Sequence, residues 1–327
     1  MDLYISLILK YMKKILFFVL ITISKLSFAQ TVAVNGTVTD TKGKPVPFAF
    51  VSDSQHPYAT YSDPNGTFSL QADPASKLIV TANFHNEVKV ALSNPANIKV
   101  VMTGDSVSNN APVETSNVNF FKMDDNIVDH NVSINRIGTG QEGLHGSRFL
   151  FADWVHGFGI TPKDSIKQSD VYLFNYDKVA GNLIFTRTKK TAMIVVKEEI
   201  KGFTLFDENA QPYVFESVPA INPKKYVQVL SSGSKYKIYK DLGTTFIKAS
   251  FSTNGITSSG NNYDEYKDEA VYYIVKTGGQ PQKVELKSKA IKAAFTADAD
   301  KVKKFFSDNE GDVDDNYLKA LGDYLNQ

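Results

Sequence analysis

The chain has 327 residues, 42% of them hydrophobic, which is length and apolar content enough for two domains with real cores. A formal net charge of +1 argues against a nucleic-acid binder. Cysteine is absent, which excludes disulfides, thiolate catalysis, thiolate metal sites and an N-terminal lipid-modified cysteine.

Residues 12–29 read as a secretory signal peptide: Lys13 and Lys14 form the charged region and Ile15 to Ile23 the apolar core. Ser27-Phe28-Ala29 sets small residues at the recognition positions ahead of Gln30. The apolar run is well short of the ~20 residues of a membrane span. Residues 1–11 precede this pattern, and Met12 is the natural initiator for it. Removing residues 1–29, with four Lys and one Asp, takes the net charge to −2.

Val32 to Asp40 reads as a strand with a glycine inside it, Thr41 to Pro45 as a turn, and Val46 to Ser52 as a second strand opening with Pro47. The most specific stretch is Ser62-Asp63-Pro64-Asn65-Gly66-Thr67-Phe68-Ser69-Leu70. Asp, Pro and Asn suit the first three positions of a type I turn, and Gly66 accepts φ > 0 at the fourth, the chemistry of a hairpin loop with a bulge. Phe68 and Leu70 then share one strand face. Leu78 to Ala82, Glu87 to Leu92 and Ile98 to Thr103 complete a set of short strands at sandwich spacing.

Two runs carry a family resemblance. Val34-x-Gly36-x-Val38-x-Asp40-x-x-Gly43-x-Pro45-Val46-Pro47-x-Ala49-x-Val51 and Tyr61-Ser62-Asp63-x-Asn65-Gly66-x-Phe68-x-Leu70 resemble the carboxypeptidase regulatory-like domain. The resemblance covers residues 31–103 and departs at Asn83-Phe84-His85-Asn86, where that family often has an aromatic-Gly-aromatic triplet. It implies a seven-stranded, transthyretin-like β-sandwich acting as an accessory module, and it nominates no catalytic residue.

Residues 104–146 read as a polar linker, with a short strand expected at Asn117 to Phe121 and the glycines 138, 140, 143 and 146. Neither a buried strand before those glycines nor a helix after them supports a phosphate loop. Residues 147–286 read as an antiparallel meander. Its strands are Val171 to Tyr176, Asn182 to Thr186, Ala192 to Val196, Phe203 to Phe206, Tyr213 to Phe215, Tyr226 to Leu230, Tyr236 to Tyr239, Thr245 to Phe251 and Val271 to Val275. That is too much for one flat sheet, so a curl or a split into two packed sheets is expected. The layout loosely resembles uncharacterised secreted bacterial domains. Residues 287–327 turn helical, with Ile291 and Phe295 four apart, then Val302, Phe305 and Phe306, and a last helix capped by Asp312 with Asp315 three on and Leu318, Leu321 and Leu325 on one face. The fold class is mainly β: an N-terminal sandwich, a meander, and two or three C-terminal amphipathic helices.

The candidate chemistry is sparse. Asp308, Glu310, Asp312 and Asp314 alternate like a calcium loop, but the glycine is one position early and Lys319 stands where a bidentate Glu belongs. His145, Asp153 and His156 are close in sequence without a metal-ligand spacing. Ser147 lacks a nucleophile elbow. Tyr172, Tyr226 and Tyr272 fit a sugar platform or, more simply, a core. No catalytic, cofactor or metal residue is assigned. The expected function is an exported envelope accessory or binding role toward a polysaccharide or an outer-membrane protein. An envelope hydrolase with a site built from sequence-distant residues and a structural spacer stand as alternatives.

Overall fold

A computed structural model describes residues 31–104, 143–189, 191–253 and 255–327. The signal-peptide reading, the strand at 117–121 and the glycines 138 and 140 lie outside the described residues. Among the described residues, no helix is long and apolar enough to cross a membrane. The chain is mainly β, with three helices at its C-terminal end.

Seven strands build the first unit: β1 (Val32–Asp40), β2 (Phe50–Asp53), β3 (Ala59–Tyr61), β4 (Thr67–Ala72), β5 (Lys77–Thr81), β6 (Val88–Ala91) and β7 (Ile98–Met102). They form a three-stranded sheet, β4-β1-β7, and a four-stranded sheet, β3-β2-β5-β6. Alternation sends Phe68, Leu70 and Ala72 of β4 inward, to meet Val34 and Val38 of β1, Leu78 and Val80 of β5 and Val100 and Met102 of β7 in one core.

The turn at Asp63 to Gly66 forms as read at the residue level but does not close a hairpin. β3 and β4 belong to different sheets, so the turn is the corner at which the chain passes between them. Asp63 Oδ1 accepts from the Asn65 and Thr67 amides, and Gly66 lies at φ 75°. The expected strand from Val46 to Ser52 is shortened because Phe48 sits at φ 52°, which bends the chain out of extended geometry before β2.

The second unit is organised on one large sheet. Its strands are β8 (Leu144–His145), β9 (His156–Ile160), β10 (Ile166–Lys167), β14 (Gly202–Phe206), β15 (Pro212–Glu216), β16 (Val227–Ser232), β17 (Tyr236–Ile247), β20 (Asp264–Lys276) and β21 (Gln282–Val284). They run in the order β10-β9-β14-β15-β16-β17-β20-β21, with β8 parallel to β20 at one end. β11 (Leu173–Asp177), β12 (Asn182–Thr186) and β13 (Met193–Ile194) form a separate three-stranded sheet, the expected split, and β18 (Ser252–Thr253) and β19 (Ser258–Ser259) pair with each other in the loop between β17 and β20. The runs 236–239 and 245–251 are not two strands: 236–247 is one strand, paired with β20 along its whole length.

Period-two alternation allots the faces of the large sheet. Phe203 and Leu205 of β14 and Phe215 of β15 pack with Phe174, Tyr176, Leu183 and Phe185 of the small sheet. The register carries that face from Phe215 through Gln228 to Lys240, whose Nζ meets Asp315 at the start of the last helix. The small sheet and the helices α1 (Ser288–Ala294), α2 (Ala299–Asp308) and α3 (Asp315–Asn326) therefore share one face. Ile291, Phe295, Val302, Phe305, Leu318, Leu321 and Leu325 bury against Ile238, Tyr272 and Ile274. The cap of α3 is Asp314, which accepts from the Tyr317 amide at 2.8 Å; the expected Asp312 lies too far ahead of the first turn.

The opposite face, at β9 and β14, receives the sandwich. Phe158 and Phe206 meet Phe50 and Tyr61 in a buried aromatic cluster. Ring centroids are 5.8 Å apart for Phe50 and Phe158 and 5.0 Å for Tyr61 and Phe206. Phe48 stacks on His156 at 4.6 Å.

Candidate binding cleft at the junction of the two units

The outer face of β4-β1-β7 is the polar complement of its buried face. Asn35 and Thr37 of β1 and Thr67 and Ser69 of β4 alternate with core residues and so point outward. Across from them stands the β14–β15 turn, residues 207–211. Asp207 Oδ1 accepts from the Asn209 and Gln211 amides, and Ala210 sits at φ 58°, so the turn is held tightly and presents Asn209 and Gln211. Between the two lies a cleft of about 610 Å³, lined on the sandwich side by Asn35, Thr37, Thr60, Asp63, Thr67, Ser69 and Asn97 and on the other by Asn209, Gln211 and Pro212.

The floor is set by three sandwich residues. A Cβ on Gly36 would lie 2.4 Å from the Ile98 carbonyl oxygen and 2.5 Å from Phe68 Cζ, so the absence of a side chain lets the Phe68 ring lie across β1. Tyr61 spans floor and interface. Its hydroxyl donates to the Gly157 carbonyl at 3.3 Å and accepts from Gln168 Nε2 at 3.2 Å. Burial pushes its phenol up, so it stays neutral. Gln168 also donates to Asp170 at 2.6 Å, which fixes its amide.

Among the described residues the cleft holds one carboxylate, Asp63, and no Lys, Arg or His in its lining. Burial raises the Asp63 carboxyl, but hydrogen bonds from the Thr67 hydroxyl and from the Thr67 and Asn65 amides outweigh it and leave the group below its ordinary value. Asp63 is therefore an anion whose acceptor capacity is largely taken by its own turn. The rest of the described wall combines amides and hydroxyls with the apolar Phe68, Ala96, Ala210 and Pro212. The amides and hydroxyls both donate and accept, and together with the apolar patches they suit a neutral, hydroxylated ligand with apolar faces better than an ion.

The residues singled out from sequence go elsewhere. His145 stacks on Tyr263 at 3.7 Å. Asp153 bonds the Trp154 amide and Lys189 Nζ. His156 lies in the aromatic interface, so these three are not brought together. Ser147 Oγ accepts from the Phe149 amide. Asp308 pairs with Lys304 at 3.0 Å, and Asp314 caps α3. Among the described residues, no group of three or more His, Asp or Glu side chains is placed to hold a metal ion. Tyr226 and Tyr272 are buried rather than exposed, donating to the Lys197 carbonyl at 3.3 Å and to Asp315 at 2.7 Å, and Tyr172 packs on the Phe185 ring. They are core, so no sugar platform forms from them. The cleft residues were invisible in sequence, since Asn35, Thr37, Thr67 and Ser69 have the signature of any solvated strand face. A scan against protein-family models finds no match for this chain, and a search of curated proteins finds none.

Proposed function

We propose that this chain is an exported cell-envelope protein that binds a polysaccharide segment in the cleft between its two units. The observation that carries the reading is the lining. Amides and hydroxyls of the sandwich face the amides of Asn209 and Gln211 across 610 Å³, with Phe68, Ala96, Ala210 and Pro212 between them and, among the described residues, a single, internally engaged carboxylate. Sugar hydroxyls need donors and acceptors at close spacing and little net charge, and polar contacts bridged by water serve them as well as direct ones. Among the described lining residues Asp63 has no second acid at the separation that glycoside hydrolysis uses, and the reading is therefore one of binding.

Two further features support this reading. The signal-peptide pattern ahead of Gln30 suits an exported protein. The three-plus-four arrangement of the first unit suits a carboxypeptidase regulatory-like accessory module, serving here as one wall of the cleft.

Affinity electrophoresis of the purified protein in gels containing neutral envelope polysaccharides tests the proposal. Retardation is expected, and Asn35→Ala and Asn209→Ala should each weaken it by roughly fivefold or more, the cost of one or two polar contacts. Migration unchanged by every polysaccharide tried, or retardation indifferent to both variants, would overturn it.

A further inference from the structure

The β17–β20 pair extends past the rest of the large sheet. Pairing of β16 with β17 stops at Lys240, and pairing of β21 with β20 covers only Tyr272 to Ile274, while β17 and β20 stay in register out to Ile247 and Glu265. The extension is braced. Lys178 Nζ reaches both oxygens of Asp268 at 2.6 and 2.8 Å, and Thr244 Oγ1 donates to the same carboxylate. β8 runs along β20, and Gly146 packs so close that a Cβ there would lie 2.2 Å from the Tyr266 carbonyl oxygen. At the far end, Asp264 Oδ1 accepts from the Ala249 amide, and Ser250 N donates to the Asn261 carbonyl, closing the base of a terminal loop.

That loop has an unusual composition. Residues 249–263 contain no Asp, Glu, Lys, Arg or His, in a chain that is 22% charged. Phe251 is 55% exposed and Ile256 is 92% exposed, and Phe246 and Ile247 are exposed at its root. Its other side chains are mainly Ser, Thr and Asn. A solvated hairpin tip ordinarily carries charge and keeps large aliphatic side chains out of water.

We propose that this uncharged tip is a membrane-contacting element that dips into the headgroup–acyl boundary of a lipid surface. Charge is the costliest thing to carry into that boundary, and the tip has none. Phe and Ile gain by leaving water, while Ser, Thr and Asn hydrogen-bond to headgroups. A two-stranded tip is too narrow for the roughly 800 Å² per partner of a stable protein interface. Lipid surrounds a loop from all sides and covers Phe251 and Ile256 whichever way each points. The braced stem would transmit the contact to the body.

Flotation of the purified protein with phosphatidylcholine vesicles tests this. The protein should float, equally at low and high salt because the contact is uncharged. The double variant Phe251→Ser, Ile256→Ser should bind roughly tenfold or more weakly while keeping the parent's melting temperature. Asn35→Ala, in the cleft, should float like the parent. As a second readout, a polarity-sensitive dye on Ile256→Cys, the sole thiol of the labelled chain, should shift to the blue on adding vesicles. No flotation, flotation of the double variant equal to the parent's, flotation abolished by salt, or a dye that responds only to an envelope protein would each overturn the proposal.

Discussion

Gly66 illustrates how a single position sets a corner. Its φ of 75° belongs to the left-handed region, and a Cβ there would also lie 2.4 Å from the Val38 carbonyl oxygen. The dihedral alone costs a side chain roughly 1–2 kcal/mol, and the collision adds to it. Gly66→Ala and Gly66→Val should both lower the melting temperature by several degrees in a thermal scan. Asn tolerates the dihedral but shares the collision, so Gly66→Asn should fall between Ala and the parent. His156 is the matching case in the interface. Burial lowers it, Asp170 pulls the other way, and Lys189 adds to the depression. With its folded value below 6.5, the unfolded chain binds more protons just under that pH, so stability falls as pH drops through the window beneath 6.5. Scans at pH 7.5 and 5.5 should show a loss in the parent that is smaller in His156→Phe.

At the scale of elements, legibility followed hydrophobic periodicity. β1, β4, β7 and β12 were visible because their apolar residues alternate or cluster between turn residues. β9 was missed: His156-Gly157-Phe158-Gly159-Ile160 has glycine where a strand signal needs side chains. The structure gives the reason at Gly157, where a Cβ would approach Leu205 Cδ2 to 2.7 Å and the Thr204 carbonyl oxygen to 2.8 Å. Gly243 makes β17 read as two strands from sequence, because no local rule reveals a glycine's place inside a long strand. The sequence pattern does not separate Asp314, the cap of α3, from Asp312 two residues ahead, because Asp312, Asp314 and Asp315 are equivalent in composition and differ only in backbone position. Asp314→Ala should therefore cost about 1 kcal/mol in chemical denaturation, and Asp312→Ala close to nothing. The cleft was the least legible part, since both its walls are ordinary polar surface until two distant segments face each other.

At the scale of the molecule, the large sheet is the shared partner of every other layer. One face carries the small sheet and helices, and the other carries the sandwich through Phe50, Tyr61, Phe158 and Phe206. Removing a buried Phe side chain costs roughly 3–5 kcal/mol. Phe206→Ala takes that cost at the joint rather than inside the sandwich core. Calorimetry should show one coupled transition in the parent and two separated transitions in Phe206→Ala, the sandwich keeping a melting point of its own. A single shifted peak would mean that the joint does not divide the units energetically.

The parallel pairing of β1 with β7 has a mechanical consequence. The chain enters the sandwich at the start of β1 and leaves it at the end of β7, and the two strands run side by side from Gly36↔Ile98 to Asp40↔Met102. Tension applied between residues 31 and 104 pulls these strands along their length in opposite directions. Every rung of the ladder is then strained at once, and none can give way ahead of the others. A hairpin such as β11–β12, pulled apart at its open end, would instead peel one rung at a time. Along the line joining residues 31 and 104 the first unit is thus a shear clamp.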